Sequence, residues 1–280
     1  MKKYAICFGY VPTLEYTGFS DQLHDSKNIF TLVGEALKNA RLINFESISN
    51  LGYASRTDRG VGALHQVVTF YSERTPILPE INSYLPSTIQ ALAMTVVSPK
   101  FHPRHDAILR TYSYFLSTSK DFDLSIAREI LAILKGTHNF RNFAKKDPNK
   151  KINTIKEIKI SEITPIGDSI CQIRIASKSF LWQQIRRIVG HLIMVSTNEY
   201  DPQHTYHLLE SKNNIKRPPS APPEYLILED IQFKDVHFDY DRKASRGFQK
   251  ILEDQLIKAQ TNSALFSFLI KELEKKGNLI

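Results

Sequence analysis

The sequence predicts an α+β fold. Three observations carry this. Runs of β-branched and aromatic residues have strand length, amphipathic stretches of helical spacing are mixed among them, and a similar order of elements appears before and after residues 100–107. The break between the two halves is expected within Lys100 to Ala107.

In the first half, Tyr4 to Tyr10 reads as a buried strand, followed by a Pro- and Gly-containing loop through Gly18-Phe19. Ile29, Leu32, Val33, Ala36 and Leu37 recur at helical spacing. Asn44 to Ser55 is expected as strand and turn, and Val67 to Tyr71 as a strand closed off by Pro76 and Pro79. In the second half, Arg110 to Ser117 is a strand with Tyr112, Tyr114 and Leu116 on one face. Ala127, Ile130, Leu131 and Leu134 mark a helix that Gly136 ends. Ile158 and Ile160 lie in a strand, Pro165 to Asp168 form a turn, and Cys171, Ile173 and Ile175 alternate in the next strand. Ile185, Ile188, Val189 and Leu192 mark another helix. Lys216 to Pro223, with four prolines, is a rigid loop before a last strand, Leu226 to Phe233. From Asp239 the chain reads as helix, with Phe248, Ile251, Leu252 and Ala259 in one stripe and Leu265, Phe268, Leu269 and Glu272 following.

At 280 residues the chain can bury a sizeable core, and 42% hydrophobic with 24% charged residues is ordinary for a soluble protein. No apolar run reaches the roughly 20 residues of a membrane helix, and no secretory signal is expected. Cys7 and Cys171 stand in apolar runs without a C-x-x-C partner, which suits buried, reduced thiols in the cytoplasm. The net charge of +8 favours a polyanionic partner, nucleic acid first among them.

Three stretches carry chemistry. In Ala54 to Leu64, Gly60 permits a tight turn and Asp58 sits on it between Arg56 and Arg59. Cations so near favour an ionised carboxylate, which can serve as a nucleophile; taken alone, an Asp in such a turn is more often a turn residue. In Phe101 to Tyr114, Tyr112 and Tyr114 share a strand face and could offer a ring to a base, or simply fill the core. His102 and His105 flank Pro103 with no further ligand to complete a metal set, so a zinc site is rejected. In Ser179 to Gly190, Arg186 and Arg187 lie on an otherwise apolar helix. Desolvating a lone arginine costs several kcal/mol, so one of the two must meet a carboxylate or a phosphate, while a snorkelling surface position suits Arg187.

Together the three stretches resemble the TruA-type pseudouridine synthases, from residue 3 to about residue 233. That family's R-T-D-x-G-V block is similar to Arg56-Thr57-Asp58-Arg59-Gly60-Val61. Its F-x-x-R-x-x-A-x-x-R-x-Y-x-Y block is similar to Phe101–Tyr114, and its F-x-x-x-x-x-R-x-x-V-G block to Phe180–Gly190. Ser55, Arg59, Trp182-Gln183-Gln184 and the helical tail look more like the archaeal and eukaryotic branch.

The resemblance implies a pseudouridine synthase fold: two ferredoxin-like halves sharing a central antiparallel sheet, with a helical C-terminal tail. The corresponding divisions are residues 1–103 with the catalytic aspartate, 104–236, and 237–280. It implies Asp58 as catalytic aspartate, Tyr112 as the tyrosine that stacks on the target base and takes part in removing its C5 proton, and Arg186 as the partner of Asp58. Arg56, Arg59 and Arg104 would hold RNA, with Lys145, Lys146, Lys150 and Lys151 along the phosphates, and Leu226 would wall the pocket. No cofactor is implied, and the working unit would be a homodimer acting on uridines 38–40 of the tRNA anticodon stem-loop. The rivals are the same chemistry on another RNA, and a module that binds or folds tRNA without chemistry. Two places depart from the family pattern. Gly18-Phe19-Ser20-Asp21-Gln22 bears on substrate choice, and Tyr225, where glycine is frequent, would narrow the pocket.

Overall fold

The computed structural model describes residues 1–19, 28–145, 152–210 and 215–277. The first half runs β1 (Lys2–Tyr10), α1 (Ile29–Asn39), a 3-10 turn (Phe45–Asn50), β2 (Gly52–Tyr53), β3 (Gly62–Ser72), α2 (Leu78–Ser83) and β4 (Ile89–Val97). Its strands lie in the order β4-β1-β3, with β2 on the outer edge of β3, all antiparallel. The second half runs β5 (Ala107–Ser117), α3 (Leu124–Leu134), β6 (Gly136–Asn139), β7 (Ile155–Gly167), β8 (Ile170–Ser177), α4 (Gln184–Ser196), α5 (His204–Leu209) and β9 (Leu226–Phe233). Its strand order is β9-β5-β8-β7-β6. Setting the short β6 and α5 aside, each half is a β-α-β-β-α-β unit in which the fourth strand flanks the first and the third separates it from the second. That is the ferredoxin-like arrangement.

The halves fuse edge to edge. β3 pairs with β2 only at Tyr53↔Val68 and Gly52↔Thr69, which leaves its opening residues free. There β9 joins it in parallel, Gly62↔Ile227 and Ala63↔Leu228. His65 Nδ1 and Asp230 Oδ1, 3.0 Å apart, brace the same seam. The hydrogen bond from His65 holds the Asp230 carboxyl below the usual carboxylate range, against the effect of its burial. One hydrophobic core runs under the whole sheet, including Val33, Ala36 and Leu37 of α1 and Ile185, Ile188, Val189 and Leu192 of α4. Each of the Val, Leu and Ile side chains among them stabilises the fold by about 1.5–3 kcal/mol when fully buried.

Helix ends follow local chemistry. Asn28 Oδ1 accepts the Thr31 amide at the start of α1, and Asp123 Oδ1 accepts those of Ser125 and Ile126 at the start of α3. Gly136, at φ +100°, ends α3 as expected, one residue beyond the capping Lys135.

The structure departs from sequence expectation in several places. Asn44 to Ser55 is a 3-10 turn followed by a strand of two residues. Pro165 to Gly167 stay within β7, so the turn into β8 is Asp168-Ser169. α2 and β4 were not foreseen. β9 is not the last strand, since β10 (Asp239–Tyr240) returns to pair with β4. The tail helix α6 (Arg242–Gly277) starts just after it. Phe248 packs with Val11 and Leu92 over Gly9 of β1. A Cβ on Gly9 would lie 2.9 Å from that ring, so the glycine that interrupts the first apolar run makes room for the tail. No helix among the described residues is long and apolar enough to cross a membrane.

Candidate active site

The aspartate turn occupies residues 54–61, between the short β2 and β3, where the two halves meet. Several clamps hold its backbone. The Gln66 carboxamide, buried, accepts from the Ser55 amide at 3.0 Å and donates to the Ser55 carbonyl at 2.7 Å. Arg110, buried on β5, donates to the carbonyls of Ala54 and Arg104 at 2.8 Å each and to that of Lys178. Burial pushes its guanidinium down from the usual arginine value. Thr57 hydrogen-bonds the Tyr10 hydroxyl at 2.7 Å, and its carbonyl accepts from the Phe19 amide. Gly60 turns the chain at φ +88°, and a Cβ there would meet Pro223 Cγ at 2.9 Å. A side chain at 60 would therefore be both strained and crowded.

The turn presents Asp58 across the seam to α4. Arg186 Nη1 lies 3.3 Å from Asp58 Oδ2, and Trp182 Nε1 lies 3.2 Å from Oδ1. Side-chain exposures of 14% for Arg186 and 23% for Asp58 leave the pair shielded yet reachable from solvent. Arg186 is itself aimed by the proline-rich loop. Its Nε donates to the Ala221 carbonyl at 2.7 Å, and its own carbonyl accepts the Ala221 amide. That loop comes so close to α4 that a Cβ on Gly190 would stand 2.1 Å from the Pro219 carbonyl oxygen. Of the two cations on the apolar helix, Arg186 has thus found a carboxylate. Arg187 does not snorkel: Nη1 donates to the Pro218 carbonyl at 2.6 Å, and burial lowers the pKa of the side chain.

Tyr112 stands beside this pair on β5. Its hydroxyl shares a 2.7 Å hydrogen bond with Ser55 Oγ, and its ring meets Phe180 edge-on at 5.5 Å. Burial raises its pKa above the usual phenol value. Tyr114, two residues on, is 1% exposed and lies against Tyr225. Leu226, buried, pairs with Tyr114 across the β5–β9 ladder. Tyr225 itself is 56% exposed, at the rim rather than in the interior.

The flanking arginines do not touch Asp58. Arg56 Nε donates to the Tyr53 hydroxyl, and Arg59 donates twice to the Leu14 carbonyl. The cation at the carboxylate comes from α4, 128 residues further along the chain. Arg56, Arg59 and Arg104 are exposed. Lys145 Nζ sits 4.3 Å over the Trp182 ring. Lys146, Lys150 and Lys151, and the Ser20-Asp21-Gln22 departure, lie outside the described residues.

Three residues of the site went unassigned in the sequence reading: Trp182, Gln66 and Arg110. Arg110 carried a signal, an arginine within a strand of core-facing tyrosines. Nothing in the local pattern marks Gln66 or aims Trp182.

Comparisons with known proteins bear on the family of the chain. The model of the tRNA pseudouridine synthase family matches residues 130–234. The tRNA pseudouridine synthase A of Methanothermobacter thermautotrophicus is 34% identical over 91% of this chain and 90% of its own. That of Methanothrix thermoacetophila is 36% identical over 80% and 81%. The enzyme of Thermococcus kodakarensis is 32% identical over 86% and 91%. All three relatives are archaeal, the branch that Trp182-Gln183-Gln184 and the tail suggested. Among solved structures, an archaeal box H/ACA Nop10-Cbf5 complex overlaps loosely, at TM-score 0.35 and 11% identity over 68% of this chain. The overlap spans 43% of that chain, less than half its length. With identity above 30% along nearly the whole length, the chain belongs to the tRNA pseudouridine synthase A family.

Proposed function

We propose that Asp58 is the catalytic carboxylate of this tRNA pseudouridine synthase, with Arg186 holding it ionised and Tyr112 beside the target base. The observation that carries the reading is the Asp58–Arg186 pair, assembled from both halves at their seam. The target uridine must leave the stack before a side chain can reach C1′. The C1′–N1 bond then breaks, the uracil turns, and a C1′–C5 bond forms. C5 gives up a proton and N1 takes one, so the redox state is unchanged. Asp58 acts on the ribose of the flipped nucleotide, and the charge-assisted contact from Arg186 fixes its orientation. Tyr112 holds the freed uracil by stacking while it turns and takes part in removing its C5 proton. Leu226 walls the pocket, and Arg56, Arg59, Arg104 and Lys145 meet phosphates around its mouth.

The finer substrate is uridine 38–40 of the anticodon stem-loop, a choice supported by the likeness of the three motif blocks. The working unit is a homodimer, and the repeated strand order supports a division into residues 1–103, 104–236 and the tail 237–280. The buried free thiols Cys7 and Cys171 suit the cytoplasm.

Two measurements test this. Asp58→Asn keeps the shape of the side chain and should lower the single-turnover rate by at least about three orders of magnitude, with tRNA affinity within a few-fold. Turnover near the parent rate would sink the assignment. Pseudouridine mapping in tRNA from cells lacking the protein should show loss at positions 38–40; loss only in another loop refutes the substrate.

A further inference from the structure

Trp182 does not belong to the core. It is 40% exposed, yet the backbone around it is held firmly. Its carbonyl accepts the Lys145 amide at 2.9 Å, and the buried Gln184 carboxamide accepts the Leu181 amide at 2.8 Å. Gln183, next in the chain, stands at φ 60°, a left-handed conformation that a residue with a Cβ seldom takes. Such strain persists only where the surroundings enforce it, and it gathers at functional sites. Here it turns the chain just before α4, so that Trp182 lies off the helix with its indole N–H on Asp58. Lys145 Nζ rests over the ring at 4.3 Å.

The indole completes a hold on both oxygens of the carboxylate. Among the described residues two side chains donate to Asp58: Arg186 Nη1 to Oδ2 at 3.3 Å, and Trp182 Nε1 to Oδ1 at 3.2 Å. The aspartate backbone is fixed by its bridge to Gly18 and by the Val61 amide on its own carbonyl. What remains free is the side chain, and the torsion that sets the plane of an aspartate carboxylate is broad and roughly two-fold. A donor on one oxygen draws the group toward itself and leaves that plane free to turn. Donors on both oxygens fix it. We propose that Trp182 is a positioning residue for the reaction: its indole N–H sets the plane of the Asp58 carboxylate and so aims it at the ribose. The donor is neutral, so it orients the carboxylate without adding a second cation that would blunt its reactivity. Misplacement of a reacting group by about 1 Å can cost on the order of 100-fold in rate, so the aim matters as well as the charge. The inference rests on the reading of Asp58 as the carboxylate that acts on the ribose.

The test uses the full chain and unmodified tRNA that carries tritium at uridine C5, released when the C1′–C5 bond replaces the C5–H bond. Trp182→Phe keeps an aromatic ring and drops the N–H. Its single-turnover rate should fall by on the order of 10- to 100-fold, with the Kd for tRNA within about three-fold of the parent. Trp182→His separates positioning from packing. Its Nε2 holds the same place in a five-membered ring as the indole Nε1, and at about pH 8 the neutral imidazole carries its proton on the nitrogen that faces an acceptor. This variant should recover to within about five-fold of the parent rate. Were the ring needed only for its bulk, the larger Phe would outperform His. The expected order is therefore parent, His, Phe. Trp182→Phe at the parent rate, or above Trp182→His, overturns the proposal. A loss that falls on Kd and not on the rate also overturns it, and makes the ring a stacking surface for RNA. Asp58→Asn is measured alongside. If it turns over near the parent rate, the reading of Asp58 falls and the role of Trp182 falls with it. If Asp58→Asn is inactive and Trp182→Phe is unimpaired, the role of Trp182 falls alone.

Discussion

β2 and β7 hold the same place in the two halves, yet β2 has two residues and β7 has thirteen. In the second half the long strand folds straight back into β8 through Asp168-Ser169, and the hairpin does nothing but close the sheet. In the first half the strand is cut short, with two consequences. The chain of residues 54–61 is released from the ladder and can carry Asp58. The opening residues of β3 lose their edge partner and take β9 from the other half instead. A single truncation thus accompanies both the Asp58 turn and the seam that delivers Arg186 to it. Edge strands are a liability when left open; here the open edge is what the second half is built onto.

Four experiments would break or sharpen this contrast. The largest effect is expected across the seam. Arg186→Lys keeps the charge but loses the planar fork, and should lower the single-turnover rate by on the order of 100-fold with tRNA binding little changed. Arg187→Lys should turn over near normally, because Arg187 holds Pro218 and not Asp58. The reverse order in the two kinetic traces would mean that α4 is misread.

Next comes the Asp58 turn itself. Gly60→Ala forces a side chain into positive φ against Pro223 and should cost about 1–3 kcal/mol in urea unfolding, with a fall in turnover. Unchanged stability would show that the turn is not held as tightly as its clamps imply.

A third test concerns acid, and it singles out the second half. His191 of α4 is fully buried against Thr205 and the His204 ring, and burial pushes its pKa from 6.5 down to about 3. The folded protein therefore binds a proton less readily than the unfolded chain. The stability this gives is full above about pH 6.5 and falls as pH drops toward 3, by about 1.4 kcal/mol per unit. Denaturation at pH 6.5 and pH 5 should differ by about 2 kcal/mol, and His191→Gln should flatten that slope. An unaltered slope would place the acid sensitivity elsewhere.

The smallest effect is predicted at the plain hairpin. Nothing lies within 4 Å of a Cβ built on Gly167, so Gly167→Ala should shift stability by less than about 0.5 kcal/mol and leave turnover alone. A loss comparable to that of Gly60→Ala would erase the distinction between the two connections.

What the sequence disclosed follows the same divide. β9 was legible to the residue, and so was the apolar stripe of α4, because both are local patterns that tertiary contacts reinforce. That one of Arg186 and Arg187 must meet an anion was legible on physical grounds, since an arginine on an apolar helix needs one; that the anion is Asp58 came from the resemblance of the motif blocks. The shortness of β2 was not legible. The chain leaving Gly52-Tyr53 is held by Gln66 and by Arg110, and the edge it vacates is taken at Gly62-Ala63 by β9, over 170 residues away. β4 was missed because Ile89–Val97 places Ala91, Ala93 and Met94 among its β-branched residues and shows no clean alternation. The aim of Trp182 was hidden in the backbone. Gln183 takes a left-handed turn at φ 60° between Trp182 and α4, a conformation that composition does not announce.

That indole makes the molecule its own optical instrument. Trp182 is the one tryptophan of 280 residues, and its Nε1–H points at the carboxylate of Asp58. All tryptophan emission from the unlabelled protein therefore originates beside Asp58, the proposed catalytic carboxylate, with no background from the body or the tail. Arrival of a nucleotide at Asp58 changes the polarity and hydrogen bonding of that ring. Stopped-flow traces at tryptophan wavelengths would then time the entry of the flipped uridine separately from the docking of the rest of the tRNA.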